Sequence, residues 1–552
     1  MGVRIGVMIK DLEELSNWEL RIIQGIINDP KLKLALFIKD GRTKNKESFK
    51  ERFTKFISTK NSIGELVLIL QVLMERKLFF KAFETVDKTG LFKHYDTIKC
   101  ISLEPKEHNG TDFFNDEDSN TIAQNNLDVI LKFGFNKIEG NILNSANFGI
   151  WSLLYADKSG NKVGPIAFWK VLHKEPSIEV SLQQLFTDAV QDKCLDKAYF
   201  NCLWSVVNTT DTVLEGSVSL VLKNLRKLYN GTYTTPEAIV SANDRYTKPS
   251  LYSVFKYTYG FYSSLIRKGF KALNIKYFGV RYQNWTLFLG KGNFITTDIS
   301  QLRPVKQPID EFWADPFLFQ YGDKNYVFFE TFCYKTKKGK LSCGIIENDQ
   351  LTNIVDVLNL EYHLSYPFIF EEDGEIYLMP ETSGNKRLEI YKCIHFPTKW
   401  ELYTTAFEGE FVADASFYND KEGQKWLFIN KKEIPNLRLH SELFIYKVDS
   451  LKLNTMIPHT QNPVIIDTRT GRNGGAIFSY NNEIYRPSQR TVEGIYGRAL
   501  NINKIKELTI NSYIEENTMI FEPDFKNGLM SMHHLHQIEG LFVYDAAYKK
   551  SK

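Results

Sequence analysis

Ala314-Asp315-Pro316-Phe317, Ser365-Tyr366-Pro367-Phe368, Asp414-Ala415-Ser416-Phe417 and Gly474-Gly475-Ala476-Ile477-Phe478 are four versions of one phrase, a small or acidic turn running into phenylalanine. From Phe317 to Phe368, Phe417 and Phe478 the steps are 51, 49 and 61 residues, close to the period of a repeated sheet unit. Each phrase is followed by a Gly, Asn or Asp turn and a second apolar strand. These are Tyr326–Glu330 after Gly322-Asp323, Ile376–Glu381 after Asp373-Gly374, Trp426–Asn430 after Glu422-Gly423, and Ile484–Pro487 after Asn481-Asn482. Such turns between apolar runs are hairpin signals. A third strand completes each unit at 341–346, 388–393, 443–448 and 499–505. A fifth unit is implied by Met532-His533-His534-Leu535 and Leu541–Asp545, with Trp285–Leu289 supplying a strand that closes the ring and protects its edges. The spacing predicts an all-β, five-bladed propeller over residues 281–548.

In such a ring the first strand of each unit lines the axis, so the starts of those strands converge. Asp315 and Asp414 hold equivalent points of units one and three; Glu330 and Glu381 hold equivalent points of units one and two. Arg472, Arg486, Arg490, Tyr496, His533 and His534 arrive from units four and five. Carboxylates and cations are thus expected around one funnel, and a carboxylate pair across a sugar is what glycosidic chemistry requires. The catalytic candidates are Asp315, Asp414, Glu330 and Glu381. The substrate-binding candidates are Trp313, Tyr366, Arg472, Arg486, Gln489, Arg490, Tyr496, His533 and His534. Against this stands a plainer reading, in which the short acids cap turns within their own units. His533-His534 reads as a structural pair, because spacing shows no third metal ligand.

Before the repeats, the apolar run Val3–Met8, the helical spacing of Trp18, Ile22, Ile23, Ile26 and Ile27, and the strand Leu32–Ile38 form a βαβ opening. That opening predicts a Rossmann-like α/β domain over 1–235. Ile63–Phe83 reads as an amphipathic helix and Leu127–Phe133 as a buried strand. Residues 236–280 form a linker whose stretch 249–278 alternates aromatic residues and leucine with Lys256, Arg267, Lys268, Lys271 and Lys276 and holds no acid. That is the character of a helix resting on an anionic membrane; the alternative is a packing helix with a solvated basic face.

The chain has 552 residues, enough for two or three domains. Lys plus Arg number 69 and Asp plus Glu 66, for a net charge of +3, which gives no nucleic-acid footprint. Six scattered cysteines without CxxC spacing point to reduced thiols. No signal-peptide core precedes Asp11, and no uncharged run reaches the ~20 residues of a membrane span. A cytoplasmic protein, with a peripheral contact at the inner membrane face through 249–278, is the expectation. No phosphate-binding glycine loop and no Asp-x-Asp element calls for a cofactor or metal.

Two family resemblances sharpen these expectations. Leu127–Ile130, Phe148–Asp157 and Gly164-Pro165-Ile166-Ala167-Phe168-Trp169 resemble the formyl-tetrahydrofolate-dependent formyltransferases, whose strand ends in Asn-x-His before a Gly-x-x-Pro helix start. Here Ser152 and Leu154 stand at the Asn and His positions, and Leu154 cannot transfer a proton, so the resemblance implies the fold without formyl transfer; Asp211 falls near the family's acid. Trp313–Phe317, Ser365–Phe368 and Arg486-Pro487-Ser488-Gln489 resemble the propeller of glycoside hydrolase family 43. They resemble more closely the propeller in the N-terminal part of plant glucosamine inositolphosphorylceramide transferases, which in bacterial proteins follows a formyltransferase-like domain. The resemblance implies a bacterial, carbohydrate-active polysaccharide-biosynthesis protein, a glycosyltransferase acting on a nucleotide- or lipid-linked sugar, with Asp315 as its likeliest carboxylate. A hydrolase using Asp315 and a Glu, and a non-catalytic carbohydrate-binding protein, are the alternatives.

Overall fold

The computed structural model describes residues 2–42, 61–80, 83–88, 90–91, 98–155, 165–186, 192–233, 237–238, 248–434, 437–438 and 441–550. They fall into two compact units, residues 1–265 and 266–552.

In the first unit, β1 (Val3–Ile9), β2 (Leu32–Asp40), β3 (Lys99–Leu103), β4 (Val129–Lys132) and β5 (Ile150–Leu154) are parallel neighbours. On one side β6 (Ser177–Gln184), β7 (Lys193–Asn201) and β8 (Glu237–Ala238) continue the sheet in antiparallel sense. The order across the sheet is β8–β7–β6–β5–β4–β1–β2–β3. The sequence reading of a parallel α/β sheet therefore holds for five strands. Each of β6, β7 and β8 instead pairs antiparallel with its neighbour. Helix α1 (Asn17–Asn28) opens on Ser16 with a reciprocal Ser16–Glu19 capping box and buries Leu20, Ile22, Ile23 and Ile26. It packs against the long helix α3 (Val206–Tyr229), which Ser205 caps by accepting from Asn208 N–H. Between them in sequence lies α2 (Ser62–Leu78), and α4 (Leu251–Phe278) follows α3.

The second unit is almost wholly antiparallel sheet. Sheet one holds 311–321, 324–333, 338–347 and 350–358; sheet two holds 365–372, 375–381, 388–395 and 399–406; sheet three holds 412–419, 425–431, 442–448 and 456–458. Sheet four is 472–473 and 478–480 against 483–492, 495–508 and 513–521. Sheet five draws on both ends of the unit. Its Leu541–Tyr548 pairs with Asn284–Lys291 on one side and with 529–531 and 535–538 on the other. The repeats thus mark each sheet, and the structure adds a fourth, outer strand to the first four. Neighbouring sheets pack in succession, and sheet five packs back on Glu311–Tyr321 of sheet one.

One device recurs in the inner strands of sheets one to four. In sheet one Ala314 faces Glu330 and Phe317 faces Phe328, so Asp315 and Pro316 are looped out. Sheets two and three repeat this between Ser365 and Phe368 and between Ala413 and Ser416. The bulged residues Asp315, Tyr366 and Asp414 all take left-handed backbone, with φ of 50°, 47° and 48°. In sheet four the place belongs to Gly475, at φ 136°, where a Cβ would lie 1.8 Å from the Leu535 carbonyl oxygen. Left-handed backbone at a non-glycine residue costs on the order of 1 kcal/mol. The bulge re-aims the side chain toward the neighbouring inner strands. Phenylalanines two or three positions on, such as Phe317 and Phe368, fill the space between sheets, their rings 5.7 Å apart and edge-to-face.

Candidate active site

Where the bulges of sheets one and two meet sheets four and five, a cleft of about 220 Å³ opens. Asp315, Glu330, Glu381, Arg472, Tyr496 and His533 line it, with Trp285, Phe312, Phe332, His363 and Ser365. A larger cavity of about 400 Å³ lies in the first unit, between 123–127, 143–149 and Gln184–Phe186, but none of its lining side chains is ionisable. Acid–base chemistry therefore points to the smaller cleft.

Asp315 is 7 % exposed. Its backbone N–H donates to Asp545 Oδ2 at 2.9 Å, and its own Oδ2 accepts from Tyr366 N–H at 3.3 Å. Burial pushes its carboxyl up to about 7, partly offset by the neighbouring His533. His533 is clamped from behind, its Nδ1 lying 2.7 Å from Asp545 Oδ1 while Nε2 stands 3.6 Å from Asp315 Oδ1. Burial opposes charge on this ring, yet Asp545 and Asp315 outweigh it and raise the imidazole above its ordinary value. Trp285 stacks on the same ring, centroids 3.9 Å apart. Asp545 also accepts from the N–H groups of His533 and His534, so one carboxylate orders the segment between strands 529–531 and 535–538.

Glu330 and Glu381 occupy the same register in sheets one and two, opposite Ala314 and Ser365. Their environments differ. Burial, then the charges of Asp315 and Glu381, raise Glu330 well above the usual carboxylate range, which favours its neutral form. Its Oε1 is buried and makes no hydrogen bond among the described residues; His363 Nε2 is 3.4 Å away. His363 Nδ1 accepts from Gly339 N–H at 3.0 Å, which leaves the neutral ring's proton on Nε2, facing Glu330. Glu381 instead accepts from Ser383 Oγ at 2.7 Å and from Arg472 Nη2 at 3.3 Å.

Arg472 ties the cleft to its floor. Its Nε donates to Asp414 Oδ2 at 2.6 Å, and its guanidinium lies 5.4 Å from the Tyr496 ring centre. Asp414 is 1 % exposed, also accepts from Gln489 Nε2 at 3.1 Å, and sits beneath the cleft, where it fixes Arg472.

Several sequence candidates lie elsewhere. Trp313 is buried between sheets, 4.7 Å from Phe329. Tyr366 and His534 sit under the cleft, 5.1 Å ring to ring. Arg486 is fully buried inside sheet four, paired with Glu515 at 2.7 Å, and Arg490 stands beside Asp467 and Arg469. Trp285, Phe312, Phe332, His363 and Asp545 were not picked out as site residues from the sequence. Donor atoms of Asp315, His533 and Asp545 lie within 4.8 Å of one another, whereas His534 stands outside that cluster. In the first unit Ser152 and Leu154 lie on β5, and both oxygens of Asp211 are engaged by Arg76 at 2.7 and 3.0 Å. Asp157 and Gly164 of the formyltransferase-like motif lie outside the described residues.

Residues 297–536, which hold most of this cleft, match the family described as glucosamine inositolphosphorylceramide transferase 1, N-terminal. The protein of that name from Oryza sativa subsp. japonica is 31 % identical over 233 residues, 41 % of this chain and 31 % of the relative. The Arabidopsis thaliana protein is 33 % identical over 208 residues, 37 % of this chain and 27 % of the relative. The chain thus spans less than a third of the length of the curated relatives it matches. These relatives are plant proteins, which overturns the expectation of a bacterial, cytoplasmic protein at an inner membrane face. Among the described residues no helix is long and apolar enough to cross a membrane. Among solved structures, RS223 β-xylosidase overlaps with a TM-score of 0.33 at 10 % identity, covering 43 % of this chain and 92 % of its own. Glycinamide ribonucleotide transformylase 1 from Symbiobacterium toebii overlaps with a TM-score of 0.28 at 10 % identity, covering 43 % and 92 %.

Proposed function

We propose that the second unit is a five-bladed β-propeller and that its axial cleft is a glycosyl-transfer site for a nucleotide- or lipid-linked sugar. The observation that carries this reading is the meeting of two buried carboxyl groups, Asp315 and Glu330, each pushed upward by burial, in a cleft walled by Trp285, Phe312 and Phe332. Two carboxyl groups with different proton affinities can divide the work of base and acid. Asp315 would take the proton of an acceptor hydroxyl. Glu330 would donate to the departing oxygen. Arg472, anchored by Asp414 and Glu381, offers a cation to a phosphate on donor or acceptor. Aromatic faces suit the apolar side of a sugar ring. The match over 297–536 supports the substrate class in the relatives' name: a glucosamine donor and an inositolphosphorylceramide-like acceptor are the first pair to test. The first unit is read as a formyltransferase-like accessory domain without formyl transfer, on the strength of Leu154.

The same two carboxyl groups also suit hydrolysis, which keeps a glycosidase as the second reading. The purified chain is incubated with sugar nucleotides and an inositol-phosphate lipid, and separately with aryl furanosides and pyranosides. Transfer predicts a glycolipid that fails to form with Asp315→Asn. Release of the aryl alcohol with no glycolipid would replace transfer by hydrolysis, and silence in both assays with sugar binding retained would leave a lectin.

A further inference from the structure

Helices α2 and α4 carry apolar faces on their outer sides. On α4 the residues Tyr252, Phe255, Tyr259, Ile266, Phe270, Leu273 and Tyr277 are all exposed, the first three at 75, 70 and 71 %. At about 100° per residue these seven fall within an arc of about 60°. The buried residues Val254, Tyr257 and Phe261 lie on the opposite face. On α2 the exposed side chains are Ile63, Leu66, Val67, Leu70, Leu73 and Met74, while the buried face carries Gln71 and Glu75. Glu75 is fully buried and accepts from Tyr257 Oη at 2.6 Å, Ser205 Oγ at 2.8 Å and Gln71 Nε2 at 3.1 Å. Leu68, Gln71 and Glu75 hold α2 to the unit, Val254, Tyr257 and Phe261 hold α4, and both helices also turn apolar side chains outward. A helix in water places them the other way.

The two outward faces are neighbours. A Cβ on Gly64 would come within 2.1 Å of the Pro249 carbonyl oxygen, so only glycine lets α2 approach the start of α4 this closely. Phe79, just past α2, meets Phe261 of α4 edge-to-face at 5.6 Å. The charge pattern selects the occupant. Residues 251–278 contain Lys256, Arg267, Lys268, Lys271 and Lys276 and no Asp or Glu. At about 100° per residue Lys256 and Arg267 lie about 70–90° from the centre of the α4 stripe on one side, and Lys276 about 90° on the other. A second copy of this chain would bring these cations against one another.

We propose that the paired outer faces of α2 and α4 dock into the headgroup layer of an anionic lipid bilayer, with the aromatic and leucine side chains inserted and the flanking Lys256, Arg267 and Lys276 on the lipid phosphates. The face then holds the chain at a lipid surface without crossing it. This goes beyond the glycosyl-transfer reading and does not depend on it, since it is read by binding alone.

The test is co-sedimentation of the full chain with vesicles of phosphatidylcholine, or of phosphatidylcholine and phosphatidylglycerol at about 7:3, at low and high salt. The expected result is binding to the anionic vesicles, weakened at least about fivefold in neutral vesicles or at high salt. Phe255→Ser/Tyr259→Ser/Phe270→Ser and Leu66→Gln/Leu70→Gln/Leu73→Gln change only exposed side chains and should each lower partitioning at least about tenfold while unfolding at the wild-type temperature. Ile457→Ser, on an exposed strand of sheet three, should change nothing. No vesicle binding by the wild type, or binding equal in all variants, overturns the proposal. So does a concentration-dependent dimer that the triple variants abolish without any lipid effect, which would assign the face to a second copy.

Discussion

Asp315→Asn should make the protein more stable at alkaline pH while abolishing its chemistry. The carboxyl is buried and pushed from 3.8 up to about 7. Because the folded value lies above the unfolded one, the stability gained by keeping the proton is complete below about 3.8 and is lost as pH rises through about 7. Integrating between those values, ionised Asp315 costs about 4 kcal/mol at pH 8 and about 1 kcal/mol at pH 4.5. Asparagine is the neutral near-isostere. It accepts the left-handed backbone at φ 50° as readily as aspartate, and its carbonyl oxygen can still take the Tyr366 N–H. Calorimetric melting of wild type and variant at the two pH values isolates the effect. The variant's advantage should grow by about 3 kcal/mol from pH 4.5 to pH 8, and its melting temperature at pH 8 should rise on the order of 10 °C. A variant that is destabilised at pH 8, and more so than at pH 4.5, would show that Asp315 is an ionised structural anchor and would refute its role as a base.

Turnover should climb tenfold per pH unit up to about 7 as Asp315 loses its proton, and a rate that is flat from pH 5 to 8 would remove that assignment. Glu330→Gln keeps the neutral form that burial imposes, so melting at pH 7 should stay within about 1 kcal/mol of wild type while turnover drops by about 10²-fold or more. Arg472→Met strands Asp414 and Glu381 without their shared cation and should cost about 3–5 kcal/mol, part of it recovered by adding Asp414→Asn in a double-mutant cycle. Glu75→Ala leaves Tyr257, Ser205 and Gln71 without their acceptor and should lower the first unit's stability by about 2–4 kcal/mol, read by urea unfolding.

The sheets were legible because the inner strands of sheets one to four repeat a bulge and a phenylalanine, and because hairpin turns leave a local signature. The outer strands were not. Strand Gln350–Leu358 buries only Leu351 and Val357 and shares no pattern with 399–406 or 513–521. Asp315, Glu330 and Glu381 could be found because equivalent places in a repeat become neighbours at an axis. Arg486 and Trp313 could not be sorted the same way, since adjacent strand residues point to opposite faces and a bulge resets the alternation. His363 lies in the connection after 350–358, and Asp545 acts through hydrogen bonds to another strand's amides, so neither carried a sequence signal. For α2 the periodicity gave a face but not its direction: the buried partner of Glu75 is Tyr257, 182 residues away.

The fifth sheet joins Asn284–Lys291 to Leu541–Tyr548. During synthesis the earlier segment leaves the ribosome about 250 residues before its partner, and at several residues per second it must wait tens of seconds. Throughout that interval its edge is unpaired and open to the wrong neighbour. Asp545, which orders His533 and holds the Asp315 amide, arrives on the same late strand. The cluster around Asp315 is therefore assembled last, and a chain that stops short of residue 541 lacks both the pairing partner of Asn284–Lys291 and the Asp545 carboxylate.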